Sequence, residues 1–225
     1  MNANVKLVFS CKFYLIFTVW SQLYKNSSIM KHTILSFLSV FLLNGCDNEA
    51  QFNPQLPAIT QIGANTFGAI INGQIMVPRN SQGYIPPGSS HYAVNYLTSN
   101  DWEQIQAGDA KTNRGYIYIY IENNEKQYPL KVNSYIVGNS NGAREHELSE
   151  NTLITAIIYD SKGVQKKYLS VADTGSINIT RSDIDIISGT FSCKLKSEEN
   201  PNNIIEIKEG RFDFTKNTIN STNFN

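Results

Sequence analysis

The residues with the most distinctive chemistry lie near the N-terminus, at residues 43–46, which read Leu-Asn-Gly-Cys. They follow a single basic residue, Lys31, and an apolar stretch over residues 34–43. This order is typical of a secretory signal peptide, and a cysteine after a small residue is the point at which bacterial lipoproteins are cut and acylated. A membrane-spanning helix needs about 20 apolar residues, so the stretch is too short to be one. We therefore expect a signal peptide over residues 30–45 and a lipid anchor, such as palmitate, on Cys46.

Residues 1–29 hold a second apolar patch, at residues 13–20, with no cleavage pattern after it. Because a complete signal begins at its own methionine, we predict that translation starts at Met30 and that residues 1–29 are a spurious upstream extension. The alternative is a membrane-inserted hairpin of both apolar patches, each of which is short for that role.

Asp173 stands in the sequence Asp-Thr-Gly-Ser, which presents the catalytic aspartate in pepsin-like proteases. Such enzymes need two carboxylates that share one proton, and this sequence has one copy of the motif. The surrounding residues, 166–180, are typical of two strands joined by a turn. We therefore interpret Asp173 as a turn residue and expect no catalytic residues.

Metal-binding patterns are weak in this sequence. After removal of the signal peptide the histidines are His91 and His146, which lack the close spacing of a zinc site. Asp183 and Asp185 share one face of an extended segment and could contribute to a calcium site, but the Asp-x-Asp-x-Asp-Gly loop is missing. We expect a polar strand face there, and no metal or other cofactor.

Tyrosine and isoleucine alternate over residues 116–121. In a strand, Tyr116, Tyr118 and Tyr120 share one face and the isoleucines the other, which should face a core. The tyrosine row is a candidate platform for sugar rings, because a sugar has both apolar faces and hydroxyls. The alternative is structural packing, either under residues 78–110 or against tyrosines on neighbouring strands.

Charge and cysteine content limit the partners and the cross-links. The chain has 19 basic and 19 acidic residues, and residues 1–45 contain four lysines and no acid, so the processed chain has a net charge of −4. No basic run is present, which argues against a nucleic-acid partner. Processing leaves Cys193 as the one free thiol, so no internal disulfide is expected.

Short strands separated by turn residues dominate the rest of the chain. Asn72 and Gly73 between two apolar runs predict a tight hairpin, and about ten strands of this kind follow one another over residues 61–215. We predict an all-β fold, as an antiparallel sandwich or a barrel-like meander, with one short helix at residues 100–108 suggested by its capping pattern. Residues 46–60 should form a lipidated tether and residues 216–225 a flexible tail.

Two blocks of sequence resemble an uncharacterised family of Bacteroidota lipoproteins. Residues 60–68 read Thr-Gln-Ile-Gly-Ala-Asn-Thr-Phe-Gly, ahead of the Asn72-Gly73 turn, and residues 187–191 and 204–214 resemble that family's closing strand pair. Relatives often carry cysteine where this chain has Ala69. The resemblance implies an envelope compartment and a β architecture, and it carries no activity or site residues.

These observations together predict a lipid-anchored protein of the outer membrane, exposed at the cell surface or facing the periplasm. Its β domain is expected to be non-catalytic, with an accessory binding or structural role and a glycan or a protein as partner. The alternative is a glycan-binding lipoprotein of a nutrient-uptake system, and a more distant one is a hydrolase.

Overall fold

A computed structural model describes residues 52–82, 91–111, 115–160 and 162–224. The predicted signal peptide, Cys46 and residues 46–51 of the tether lie outside the described residues. The described chain is all-β, as the sequence predicts, and forms one curled antiparallel sheet, a half-barrel. No helix among the described residues is long and apolar enough to cross a membrane.

The sheet contains eleven strands joined mostly by short turns. Two single-turn 3-10 helices, His146–Leu148 and Ile219–Ser221, lie outside it. The strands are β1 (Thr66–Ile71), β2 (Gln74–Met76), β3 (Val94–Thr98), β4 (Trp102–Gly108), β5 (Gly115–Glu122), β6 (Ser134–Ile136), β7 (Leu153–Tyr159), β8 (Gln165–Ser170), β9 (Ser176–Ser182), β10 (Ile186–Ser197) and β11 (Ile204–Thr215).

Strand β10 connects the two halves of the sheet. The main strand order is β2-β1-β11-β10-β8-β7-β5-β4-β3, while β9 pairs with β10 and β6 pairs with β9. One edge of β10 pairs with β11, and the other pairs with β9 through residues 187–192 and then with β8 through residues 195–197. At about 3.3 Å per residue a strand of this length spans about 40 Å, which leaves room for two partners in succession.

The hairpin predicted at Asn72 and Gly73 is confirmed. Both residues have positive φ angles, 48° and 81°, and they join β1 to β2 with Ile71 directly opposite Gln74. A two-residue turn with both residues in the left-handed region matches the twist of the two strands.

The concave side of the half-barrel is the main core. Ile117, Ile119 and Ile121 are fully buried there, which confirms the prediction for the isoleucine face of β5. A cluster of aromatic rings packs on the opposite wall, with centroid separations between 5.5 and 6.5 Å, and consists of Phe67, Phe191, Phe212 and Phe214.

The helix predicted at residues 100–108 is wrong, because the segment is strand β4. Ile105 and Ala107 are fully buried and alternate with Gln104 and Gln106, so the side chains follow a two-residue period. The strand pairs with β3 on one edge and β5 on the other. An isolated helix of two turns is marginal in water, whereas these two ladders satisfy the backbone of the segment from both sides.

Residues 216–224, expected to be a flexible tail, pack against the sheet instead. Ile219 is fully buried. The side-chain amide of Asn220 donates to the carbonyl of Tyr96 at 2.8 Å and accepts from its amide at 2.6 Å. The amide of Asn220 therefore pairs with β3 as the backbone of another strand would.

The segment before β1 is fastened to the sheet by one buried carboxylate, Asp213 on β11. It accepts five hydrogen bonds, and three of the donors are backbone amides. Oδ2 accepts from Thr60 Oγ1 (2.6 Å), Ile62 N (3.1 Å) and Ala64 N (3.1 Å), and Oδ1 accepts from Gly63 N (2.9 Å) and Ser188 Oγ (2.7 Å). The two sequence blocks singled out above therefore meet at this side chain, and the last part of the predicted tether belongs to the folded domain.

A second buried carboxylate, Glu103 on β4, is less well satisfied. Its Oε2 accepts a hydrogen bond from the Tyr96 hydroxyl at 2.5 Å, while Oε1 has no hydrogen-bond partner among the described residues. Burial raises the pKa of Glu103 to about 7, although the bond from Tyr96 and the charge of Lys216 act in the opposite direction. Burial therefore favours the protonated form of this carboxyl over a wider pH range than for an exposed glutamate.

We expect Asp213→Asn to lower the free energy of unfolding by about 3 kcal/mol at neutral pH, because an amide cannot accept all five bonds. Burial acts to raise the pKa of Asp213, but the hydrogen bonds from Thr60, Ser188 and the backbone outweigh it and lower that pKa. The stabilisation that the Asp213 carboxylate contributes is therefore present above about pH 4 and lost at lower pH. Denaturant unfolding at a series of pH values measures both effects. Asp185→Asn, at an exposed position, is the control, and equal stability of the two variants would contradict the expectation.

Glu103 should have the opposite pH dependence. Its pKa is higher in the folded chain than the ordinary value of 4.5, so its stabilising contribution is full below about pH 4.5 and is lost as the pH rises through about 7. We expect the wild type to lose a few kcal/mol relative to Glu103→Gln between about pH 5 and pH 8. Parallel unfolding curves in this range, with the exposed Glu125→Gln as control, give the comparison. If the difference in unfolding free energy between the wild type and Glu103→Gln stays constant over this pH range, the pKa of Glu103 is not raised.

Candidate binding groove

The tyrosine row of β5 lies on the convex side of the sheet and is mostly covered. Tyr118 is fully buried and Tyr120 nearly so, and both pack with Leu153 in a second, smaller core. Trp102 and the half-buried Tyr116 pack against this cluster. Tyr118 and Tyr120 are therefore not available as an open platform, and Tyr116 is the member of the row nearest to an opening.

Residues 143–149 form a cover over the row, and Trp102, which lies within residues 78–110, packs against the row beside this cover. The His146 ring stacks on Trp102 with centroids 3.9 Å apart. The backbone amide of His146 donates to Gln104 Oε1 at 3.0 Å. The side chain of Gln106 donates through Nε2 to the carbonyl of Arg144 at 2.9 Å. The polar residues of β4 thus hold the cover in place, a long-range contact that has no local sequence signal.

The hydroxyl of Tyr118 is bound beneath this cover. It lies 2.8 Å from Ser149 Oγ, which itself donates to the carbonyl of Glu145. Because that bond uses the single hydrogen of Ser149, Tyr118 must be the donor in the shorter contact. Burial raises the pKa of Tyr118 to about 12, with the bond to Ser149 acting in the opposite direction.

A groove opens at the Tyr116 end of the row, between β3, β4, β5 and β7. Its cavity volume is about 330 Å³, within the range of sites for small ligands. Three tyrosines, three side-chain amides and one arginine give the groove its chemistry. They are Tyr92, Tyr116, Tyr159, Asn95, Gln106, Gln165 and Arg144.

Two glycines on facing strands form part of the groove floor. A Cβ atom added to Gly108 would lie 3.0 Å from the carbonyl oxygen of Gly115 and 3.3 Å from the Tyr116 ring. The tight approach requires glycine at this position, and it leaves the backbone beside Tyr116 without a covering side chain. Both glycines are buried, so the Tyr116 ring packs closely against this backbone at the end of the groove.

Among the described residues of the groove lining, one is acidic, Asp109, and its charge is balanced. Arg79 Nε donates to Oδ1 at 3.0 Å and its terminal nitrogen to Oδ2 at 2.6 Å, with both side chains buried. Arg144, by contrast, is exposed. The groove consequently presents tyrosine faces, amides and a positive charge.

The other residues considered for chemistry are spread over different turns. Asp173 lies in the β8–β9 turn with a positive φ of 60°, which confirms the turn interpretation. Asp183 lies at the other end of β9 and accepts bonds from Arg181 Nε (2.7 Å) and the amides of Asp185 and Ile186. Its pKa is lowered by the Arg181 bond first and then by the amide of Ile186. The strand between the two turns separates Asp173 from Asp183 by about 20 Å at the usual rise per residue.

No cluster of three or more His, Cys, Asp or Glu side chains in the described part of the chain could hold a metal ion. His146 is held against Trp102 in the cover. The Cys193 thiol is free and buried in the main core, and burial raises its pKa to about 12, so it is not a reactive thiolate at neutral pH.

A second cavity of about 340 Å³ was not expected from the sequence. It lies between β6 and the turn after β5, and its lining includes Tyr135, Asn133 and Asn151. Asn151 Oδ1 is buried and has no hydrogen-bond partner among the described residues. The asparagines that line this cavity come from different loops and form no sequence pattern, so the cavity could not be predicted from the sequence.

Ser149→Ala should destabilise the protein more than Tyr118→Phe. The serine variant leaves a buried hydroxyl donor without an acceptor, at a cost of about 2 kcal/mol, whereas the phenylalanine variant removes the donor and costs about 1 kcal/mol or less. The double variant should be close to Tyr118→Phe alone. Denaturant unfolding of all three would show this, and additive effects of the two changes would argue against the Tyr118–Ser149 bond.

Similarity to known proteins gives no guide to the ligand of the groove. The chain matches no protein-family model, and neither a curated protein nor a solved structure is significantly similar to it. What the groove can bind therefore follows from the chemistry of its lining alone.

Proposed function

We propose that this chain is an outer-membrane lipoprotein of the Bacteroidota type, anchored through Cys46, whose half-barrel is a non-catalytic binding domain. The observation that carries the proposal is the Leu-Asn-Gly-Cys pattern at residues 43–46, behind a short apolar stretch. Its resemblance to an envelope lipoprotein family, through residues 60–68 and the closing strand pair, is part of the same proposal.

The number of residues between Cys46 and the first hydrogen-bonded residue of the domain is compatible with an anchoring role. The segment is already held at Pro57, whose carbonyl accepts a bond from Arg211 at 3.2 Å, and at Thr60, which donates to Asp213. About ten residues then remain as a tether, which reach at most about 35 Å when fully extended. The domain would stay close to the membrane surface.

A binding role fits the described residues better than hydrolysis. The carboxylates considered for catalysis lie in separate turns. Of the buried carboxylates, Asp213 is used in the fold through five hydrogen bonds, and Glu103 accepts a hydrogen bond from Tyr96. The groove offers tyrosine faces and amides instead. These are groups that hold a ligand without breaking a bond in it.

A glycan is the ligand that the groove suits best. Its tyrosines can contact the apolar faces of sugar rings, and its three amides can pair with hydroxyl groups, since an amide both donates and accepts. Because Tyr118 and Tyr120 are buried, the proposed glycan site is confined to the end of the row at Tyr116, with Tyr92 and Tyr159. With a glycan as ligand, the protein would be a glycan-binding lipoprotein of a nutrient-uptake system.

The anchor is tested by comparing the wild type with Cys46→Ser in a host that processes lipoproteins. Radiolabelled palmitate should enter the wild type and not the variant, and the variant should move from the membrane fraction to the soluble fraction. Unchanged labelling and membrane association in Cys46→Ser would contradict the proposal. The surface lysine variant Lys131→Gln is the control for expression and folding.

Protease treatment of intact cells then separates the two orientations. Digestion of the wild type without cell lysis indicates surface display, in which case external glycans are the ligands to test. Protection until the outer membrane is opened indicates a periplasmic orientation, with partners inside the envelope.

A further inference from the structure

The groove carries one feature that neutral sugars do not require, the guanidinium of Arg144. We propose, resting on the glycan-binding function above, that the groove recognises an acidic glycan and that Arg144 binds the carboxylate of a uronic acid residue in it.

Arg144 differs from the other arginines that the structure describes. Arg79 is bound to Asp109, Arg181 to Asp183 and Arg211 to Glu209, each with an N–O distance between 2.6 and 2.9 Å. No hydrogen bond or ion pair joins the Arg144 guanidinium to another of the described residues. Among the arginines that the structure describes, Arg144 is thus the one whose guanidinium N–H groups are free to bind a ligand.

The backbone of Arg144 is nevertheless fixed. Its carbonyl accepts the bond from Gln106 on β4, and the amide of the preceding residue, the buried Ala143, donates to Asn141 Oδ1 at 3.0 Å. Two residues later the amide of His146 is held by Gln104. The side chain is therefore presented to the groove from a fixed point of the cover, which reduces the entropy lost when it binds a ligand.

The charge of the lining favours an anion. Asp109 is the acidic residue of the lining, and its bidentate bond to Arg79 balances its charge within the wall. The positive charge of Arg144 has no such counter-charge in the lining, although the neighbouring Glu145 is exposed on the same cover. A planar guanidinium matches a planar carboxylate through two parallel hydrogen bonds.

The positions of the other groups in the lining favour a sugar acid, and not a simple anion, as the ligand of the groove. Tyr116 and Tyr159 stand on neighbouring strands β5 and β7 and give faces for a pyranose ring. Gln106 and Asn95 lie opposite each other on β4 and β3 and can reach hydroxyl groups. A free carboxylate or phosphate would use Arg144 and leave these groups without a partner.

The test is calorimetric titration of the full lipidated protein in detergent. The probes are tetramers of galacturonate, of mannuronate and of glucuronate-containing hyaluronan, together with the methyl ester of each acidic tetramer, which is neutral and keeps the skeleton. Sulfated neutral tetramers separate recognition of the carboxylate from general attraction of anions. We expect at least one acidic tetramer to bind at least about tenfold more tightly than its methyl ester.

Variants of Arg144 locate the effect. Arg144→Gln should lose at least about tenfold in affinity for that acidic tetramer and leave the weaker binding of its ester unchanged, and Arg144→Lys should recover the affinity only in part. Lys131→Gln removes one exposed positive charge outside the groove lining and should bind as the wild type does. Unfolding curves of each variant exclude a loss of the fold, since the Arg144 side chain has no partner to lose.

The outcomes separate the inference from the function on which it rests. Equal binding of acid and ester, an unchanged affinity in Arg144→Gln, or tighter binding of the sulfated tetramers than of every uronate would overturn the role of Arg144 and leave a glycan groove in place. If no tetramer of any kind binds, the glycan version of the proposed function is overturned together with the inference. The anchor at Cys46 is tested separately and is unaffected by either result.

Discussion

The buried carboxylate of Asp213 is the interaction on which the rest of the structure depends. It joins three parts of the chain that are far apart in sequence: residues 60–64, β10 through Ser188, and its own strand β11. A desolvated carboxylate without partners is costly, and here backbone amides and hydroxyls replace its water. The observed register of β1 on β11 brings residues 62–64 to this side chain. Asp213 thus selects one arrangement of the N-terminal segment out of the many that hydrophobic pairing alone would permit.

Both faces of the half-barrel sheet carry buried side chains, whereas a simple half-barrel has a core on one face. The isoleucines of β5 face the concave core, and the tyrosines of the same strand lie under residues 143–149. Glutamines of β4 hold that cover through its backbone, so polar residues of the convex side serve as attachment points. The groove lies at the end of the cover, next to Tyr116. The shape of this end of the groove is consequently set in part by the residues that hold the cover.

The sequence was informative where structure is determined by near neighbours. The Asn72-Gly73 turn, the alternation over residues 116–121 and the turn at Asp173 follow from local backbone chemistry, and each was predicted. The segment at residues 100–108 was not, since its capping pattern is a local preference that strand pairing on both edges overrides. The packing of Ile219, the bonds of Asn220 and the cover over Tyr118 depend on contacts across many residues. Of the candidate site, the sequence singled out Tyr116, while Arg144 and the amides gained their meaning only when β3, β4 and β7 were brought together.

The amide of Asn220 has a consequence beyond the packing of the C-terminus. β3 is the last strand at its end of the sheet, and an open strand edge is a template on which another chain can add its own strand. By occupying the amide and the carbonyl of Tyr96, Asn220 removes the central pairing position that such an added strand would use. At high local concentration, copies of this protein could otherwise pair through this edge, and strand addition of this kind leads to aggregation. One asparagine side chain therefore protects the middle of this edge strand from pairing with another chain.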